Sequence, residues 1–141
     1  MTLLEIINQL NSIAISQPAI NEYIKDGNIY SLNEKRNAHY AVFCCVQGTH
    51  SYNVADNLMT YQFILYYVDR LASDKNNKLQ VQSTAVQALT NIIKTISEMN
   101  DEVEVGSVDF TPFTDSFDGM CCGQYATISI SVPADGCIEI F

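Results

Sequence analysis
An α+β fold, with an antiparallel sheet of four or five strands and two amphipathic helices packed on one of its faces, is predicted by three features of this chain. Two segments repeat apolar residues at helical spacing, at least four others read as strands, and the strands fall into groups separated by the helices. A length of 141 residues places all of this in a single domain spanning 1–141.

The first helix opens on Thr2 and Glu5, a T-x-x-E capping box. Leu3, Ile6, Ile7, Leu10, Ile13 and Ala14 form its apolar stripe, and Pro18 ends it near Ser16. Residues 21–25 suit a short strand, followed by a turn at Asp26–Gly27 and a polar loop over 28–39 with one ordered turn. The run 40–47 (YAVFCCVQ) reads as a buried strand ended by Gly48. The run 58–68 (LMTYQFILYYV) reads as a long strand apolar on both faces, and such a strand is covered on both, by its own domain or by a neighbour. These two strands form an antiparallel hairpin with a long polar tip, Thr49 to Asn57. After a charged connection comes a second helix over about 79–99, with Val86, Leu89, Ile92, Ile93 and Ile96 as its stripe. Then follow 103–110 (VEVGSVDF), a loop over 111–119, a strand over about 123–132 and the tail CIEIF. In the last strand Thr127, Ser129 and Ser131 alternate with Ile128, Ile130 and Val132, giving one wet and one dry face. With both helices on one face of the sheet, the other face is expected to need a partner.

Charge is segregated along the chain. Residues 1–94 hold seven acids and seven bases, whereas 95–141 hold nine acids and no Lys or Arg, hence the whole net charge of −9. A one-signed surface has a cost in the compact state, and it does not retain a polyanion, because nucleic-acid grooves use Lys and Arg to replace phosphate counterions. Lys35–Arg36, Lys75 and Lys78 lie in loops among Glu34, Asp69 and Asp74 and form no basic patch, so sequence-specific DNA or RNA binding is not expected. No run of about 18 apolar residues suggests a membrane span, and MTLLEIINQL lacks the basic start of a signal peptide. The five cysteines are therefore expected to be reduced core thiols of a cytoplasmic setting. Cys44–Cys45 and Cys121–Cys122 are adjacent pairs, and neighbours on a strand point to opposite faces, so neither pair offers two sulfurs to one metal.

Catalytic signatures are not found. His39 and His50 stand outside HExxH, and P-loop, GxGxxG and GxSxG motifs are missing. Asp115 and Asp118, in DSFD, lack the alternating oxygens and twelfth-position Glu of a calcium loop. No catalytic, metal or cofactor-binding residue is expected, and no cofactor.

The stretches HYAVFCCVQGTH, TYQFILYYVDRL and VDFTPFTDSFDGMCCGQYATISISVP, with the order of elements, resemble the small tail-completion or tail-terminator proteins of bacteriophages. The likeness is to ring-forming proteins at the neck or tail of phages of Bacteroides-type hosts, the crAss-like group included. It implies a structural virion protein, made in the host bacterial cytoplasm, that is not an enzyme. Its partners would be copies of itself in a cyclic oligomer, sixfold or twelvefold, and neighbouring portal, neck and tail rings. Double-stranded DNA would pass through the hole without specific binding. On this reading Glu102, Glu104, Asp109, Asp115 and Asp118 supply a negative channel wall. The tip residues Thr49, His50, Tyr52 and Asn57, with Phe113 and Phe117 of the later loop, are expected to contact adjacent rings.

Two other classes fit less of the chain. An acidic adaptor or nucleic-acid mimic would use the same carboxylates on a convex face against a basic host partner. A small cytoplasmic enzyme would need a pocket of convergent polar groups with shifted pKa values.

Overall fold
The computed structural model of the chain describes residues 1–33, 40–117 and 120–134. Glu34, Lys35, Arg36, His39, Asp118, Gly119, Asp135 and the tail CIEIF lie outside the described residues.

Helix α1 spans Leu3–Ser16, and its first turn closes the capping box. The Glu5 N–H donates to the Thr2 hydroxyl at 3.2 Å, and the Thr2 N–H donates to the Glu5 carboxylate at 3.4 Å. Two N–H groups that the helix cannot bond are thereby satisfied. Replacing Thr2 by Ala is expected to lower unfolding free energy by about 1 kcal/mol. Chemical denaturation checks this, and an unchanged midpoint would show that the cap contributes nothing. Strand β1 is short (Glu22–Tyr23). Gly27, at φ +68°, completes the turn after it in the left-handed region that glycine adopts without penalty. A 3₁₀ helix, Ile29–Asn33, leads toward β2, Val42–Gln47.

Strand β3, Ser51–Asn53, folds back on β4, Leu58–Arg70, placing Ser51 opposite Thr60. Helix α2, Lys78–Met99, then returns along the sheet to β5, Glu104–Val105. Strands β6, Asp109–Ser116, and β7, Cys121–Pro133, complete the sheet. Its main order is β1-β2-β4-β7-β5, with β3 beside β4 and β6 beside β7. Strands β4 and β7 pair antiparallel over their full length, from Leu58–Pro133 to Arg70–Cys121.

The α+β class stands, but the sheet is larger than expected and mixed. It has seven strands, and β1 runs parallel to β2. Strand β1 falls within the short strand read over 21–25 and β5 within 103–110, whereas β3 lies in the segment read as a polar tip and, at three residues, is too short to show a period of two. The segment read as a loop over 111–119 mostly belongs to β6. Proline sits at position 112 of that strand, where β6 has only β7 as a sheet neighbour, and an edge strand tolerates its missing N–H.

Both helices cover one face. Ile6, Leu10, Ile13 and Ala14 of α1 and Ala85, Leu89, Ile92 and Ile96 of α2 pack with Phe43, Phe63, Leu65, Ile128 and Ile130 of the sheet. The stripe of α2 also includes Val81 and Ala88, while Val86 is only half-buried. Phe43, Phe63 and Leu65 have no exposed surface, and burial of each side chain contributes about 1.5–3 kcal/mol. The opposite face is covered at one end from within the chain. Ile24, Ile29 and Leu32 pack there on Val42, Cys44, Val68 and Cys121. These aliphatic residues, embedded in a polar stretch, supply part of the cover for which a partner was expected.

Candidate assembly surface
The helix-free face divides into two halves, and the strand registers set the division. Residues opposed in an antiparallel pair point to the same side. Toward the β3–β4 turn, Ser51, Thr60, Ser131 and Glu104 occupy successive strands in one row. Gln62 and Ser129 form the next row, and Ile64, Thr127 and Asp109 the one after. The hydroxyls of Thr60 and Ser131 share a hydrogen bond of 2.9 Å across β4 and β7. This half is rich in small hydroxyls and edged with carboxylates, and those three rows contain no Lys or Arg.

Toward the other end the rows turn aromatic. Tyr66 lies opposite Tyr125, at 5.4 Å between ring centroids, and edge-on to Phe113 at 6.1 Å. Phe117 stands perpendicular to Phe113 at 5.9 Å. Phe117 and Asp115 both have φ 55°, which is uncommon for a bulky side chain and re-aims the strand where its register shifts. Tyr30, 70% exposed, joins these rings around a cleft of about 310 Å³, with Ile29 and Ser116 completing the lining. Burial raises the pKa of Tyr66, and the neighbouring Tyr30 and Tyr125 hydroxyls raise it further.

The expected contact residues separate on this framework. Thr49 and Tyr52 are exposed, and the Tyr52 hydroxyl donates to the Asn57 side-chain oxygen at 2.6 Å across the tip, where Asn57 itself adopts φ 53°. The Asn53 side-chain oxygen accepts from the N–H groups of Ala55 and Asp56, so the turn holds Val54 out in solvent, 77% exposed. His50 is half-buried, with its ring against Tyr61 at 5.2 Å and Phe63 at 5.9 Å. Its Nδ1 accepts from the Gln62 N–H at 3.2 Å, which leaves Nε2 to donate to Gln47 at 3.1 Å. These contacts fix the His50 ring within the tip. Phe113, in β6, and Phe117, just after it, are half-buried and pack against the second core cluster.

Glu102, Glu104, Asp109 and Asp115 are all exposed. Glu104 and Asp109 belong to the hydroxyl-rich half, whereas Asp115 pairs with Lys75 at 2.8 Å. Both partners of that pair are about half exposed, and such pairs contribute about 0–1 kcal/mol.

The thiols of Cys44, Cys45, Cys121 and Cys122 are buried. Loss of solvation pushes Cys44 and Cys45 up to about 12 and Cys122 up to about 11, so none is a thiolate at neutral pH. A recess of about 250 Å³ beside the start of α2 holds Asp69, Tyr67, Asn77, Gln80 and Thr84. Burial raises the Asp69 carboxyl above its ordinary value, although the N–H of Arg70 donates to it at 2.7 Å and opposes the rise. The Tyr67 hydroxyl, pushed up to about 12 mainly by burial, donates to the Ala19 carbonyl at 3.4 Å. Among the described residues no three His, Cys, Asp or Glu side chains are grouped to hold a metal ion. No helix among the described residues is long and apolar enough to cross a membrane.

The aromatic cleft has no counterpart in the sequence reading. Its rings come from positions 30, 66, 113, 117 and 125; the register of β4, β6 and β7 aligns Tyr66, Tyr125 and Phe113, and the 3₁₀ helix and the end of β6 add Tyr30 and Phe117. Comparison with known proteins adds no family to this geometry, because no protein-family model matches the chain and no curated protein does.

Proposed function
We propose that this chain is a structural subunit of a phage virion, packing beside copies of itself into a closed ring at the neck or tail. Portal, neck and tail rings are its axial neighbours, and double-stranded DNA passes through the hole. The observation that carries this reading is the hydroxyl-rich half of the helix-free face. Thr60, Gln62, Thr127, Ser129 and Ser131 share rows beside Glu104 and Asp109. Such a surface offers a duplex no cation to replace its counterions, so the duplex slides and is not held. Glu102, exposed on the turn before β5, adds to the same sign of charge. Asp115, bound by Lys75, adds little. The projecting β3–β4 tip and its exposed Val54 provide an axial contact.

Electron microscopy of particles carrying the protein tests this directly. A closed ring with Ser129 and Ser131 facing the hole is expected. Replacing Thr127 and Ser129 by Lys should leave the ring intact and slow genome release. The same residues on the outer wall, or one copy per particle, would overturn the reading. A one-to-one complex with a basic host protein, without cyclic symmetry, would instead favour the acidic mimic.

A further inference from the structure
The aromatic half of the helix-free face holds a recess whose chemistry is distinct from the hydroxyl wall. Five rings, those of Tyr30, Tyr66, Tyr125, Phe113 and Phe117, surround about 310 Å³. Ring faces carry partial negative charge and attract cations placed over them. No Lys, Arg or His is found among the described residues that line the recess. Two cations of this chain are already engaged. Lys75 is held by Asp115 at 2.8 Å, and the Arg70 guanidinium lies 5.0 Å from the centroid of the Tyr40 ring. The second pair uses, within this molecule, the chemistry that the recess leaves open. The chain as a whole carries a charge of −9, so its field favours the approach of a positive group.

We propose that this recess is a docking site for an arginine side chain presented by a partner protein. The planar guanidinium stacks on aromatic faces and sheds water more readily than an ammonium, and its apolar stem matches the rings below it. The phenolic oxygens of Tyr30, Tyr66 and Tyr125 supply acceptors for its N–H groups. The site goes beyond the ring reading and stands without it, because it is measured on the isolated chain.

The test titrates the full chain with acetyl-arginine amide and, separately, with the neutral isostere acetyl-citrulline amide, following aromatic ring resonances by NMR. Arginine should bind about fivefold more tightly than citrulline and shift the resonances of Tyr66 and Phe117. Tyr30→Ala, at a largely exposed position, should weaken arginine binding about threefold without changing the denaturation midpoint. Tyr30→Phe should keep most of it. Equal affinity for the two probes, no shift with either, or full arginine affinity in Tyr30→Ala would overturn the proposal.

Discussion

Gly123→Ala is expected to lower unfolding free energy by more than about 4 kcal/mol, into the range that only a few mechanisms reach. Gly123 is buried in β7 opposite Val68, and a Cβ there would be driven into the carbonyl oxygen of Tyr67. Phe113 lies over the same point, with its ring edge 3.1 Å from the added carbon. The obstacle is backbone of the central pair β4–β7, which cannot yield without breaking the register that both faces depend on. Gly106, in contrast, has open space around its Cα, and Gly106→Ala should change stability by less than about 0.5 kcal/mol. Denaturant unfolding of the two variants side by side checks this. A Gly123→Ala protein within about 1 kcal/mol of the parent would show that β4 and β7 do not approach as closely as described.

Alkaline pH should remove stability steeply. Cys44 and Cys45 start from an ordinary value of 9.0 and are pushed up to about 12, chiefly by burial. Both folded-state values are raised, so their stabilising effect is complete below pH 9.0 and is lost as pH climbs toward about 12. In that window the unfolded chain releases two protons that the folded chain keeps, which costs about 2–3 kcal/mol per pH unit. Burial also pushes Tyr40 and Tyr67 up to about 12 from 10.0, which steepens the upper part of the loss. Unfolding midpoints measured under reducing conditions across this range should fall. The double variant Cys44→Ala, Cys45→Ala should lie on a shallower line. A flat profile for the parent would mean that water reaches these thiols.

Much of the architecture was legible because long elements announce themselves. The capping box and stripe of α1, the heptad-scale stripe of α2 and the alternation of Thr127 to Val132 each determine a period, and the structure follows them. The antiparallel pairing of β2 with β4 was legible too, from two apolar runs joined by a polar link. Strand β6 was hidden for a physical reason. Pro112 and the left-handed Asp115, with the left-handed Phe117 just beyond it, are turn chemistry, and a strand that pairs on one side only can accommodate the first two. The cover supplied by Ile29 and Leu32 was hidden by the polar residues around them, although two aliphatic residues three apart in a loop are a usable sign. Of the acids, sequence identified the signed third of the chain. Only the strand registers distinguish Glu104 and Asp109, beside the hydroxyls, from Asp115, which has its own counterion.

The strand order bears on how the chain is made. Strand β7, the most C-terminal of the described strands, sits in the interior of the sheet between β4 and the β5–β6 edge. A nascent chain that has emerged only through α2 therefore holds Phe63 and Leu65 on a strand with one side bare, a state prone to self-association. Closing the β4–β7 ladder also joins residues from Arg70–Cys121 to Leu58–Pro133, 51 to 75 positions apart, and such non-local pairing is slow compared with helix formation. Ribosome-bound chains of this protein would thus depend on shielding until the final ladder is in place, and premature termination after α2 would yield aggregates in place of a smaller folded product.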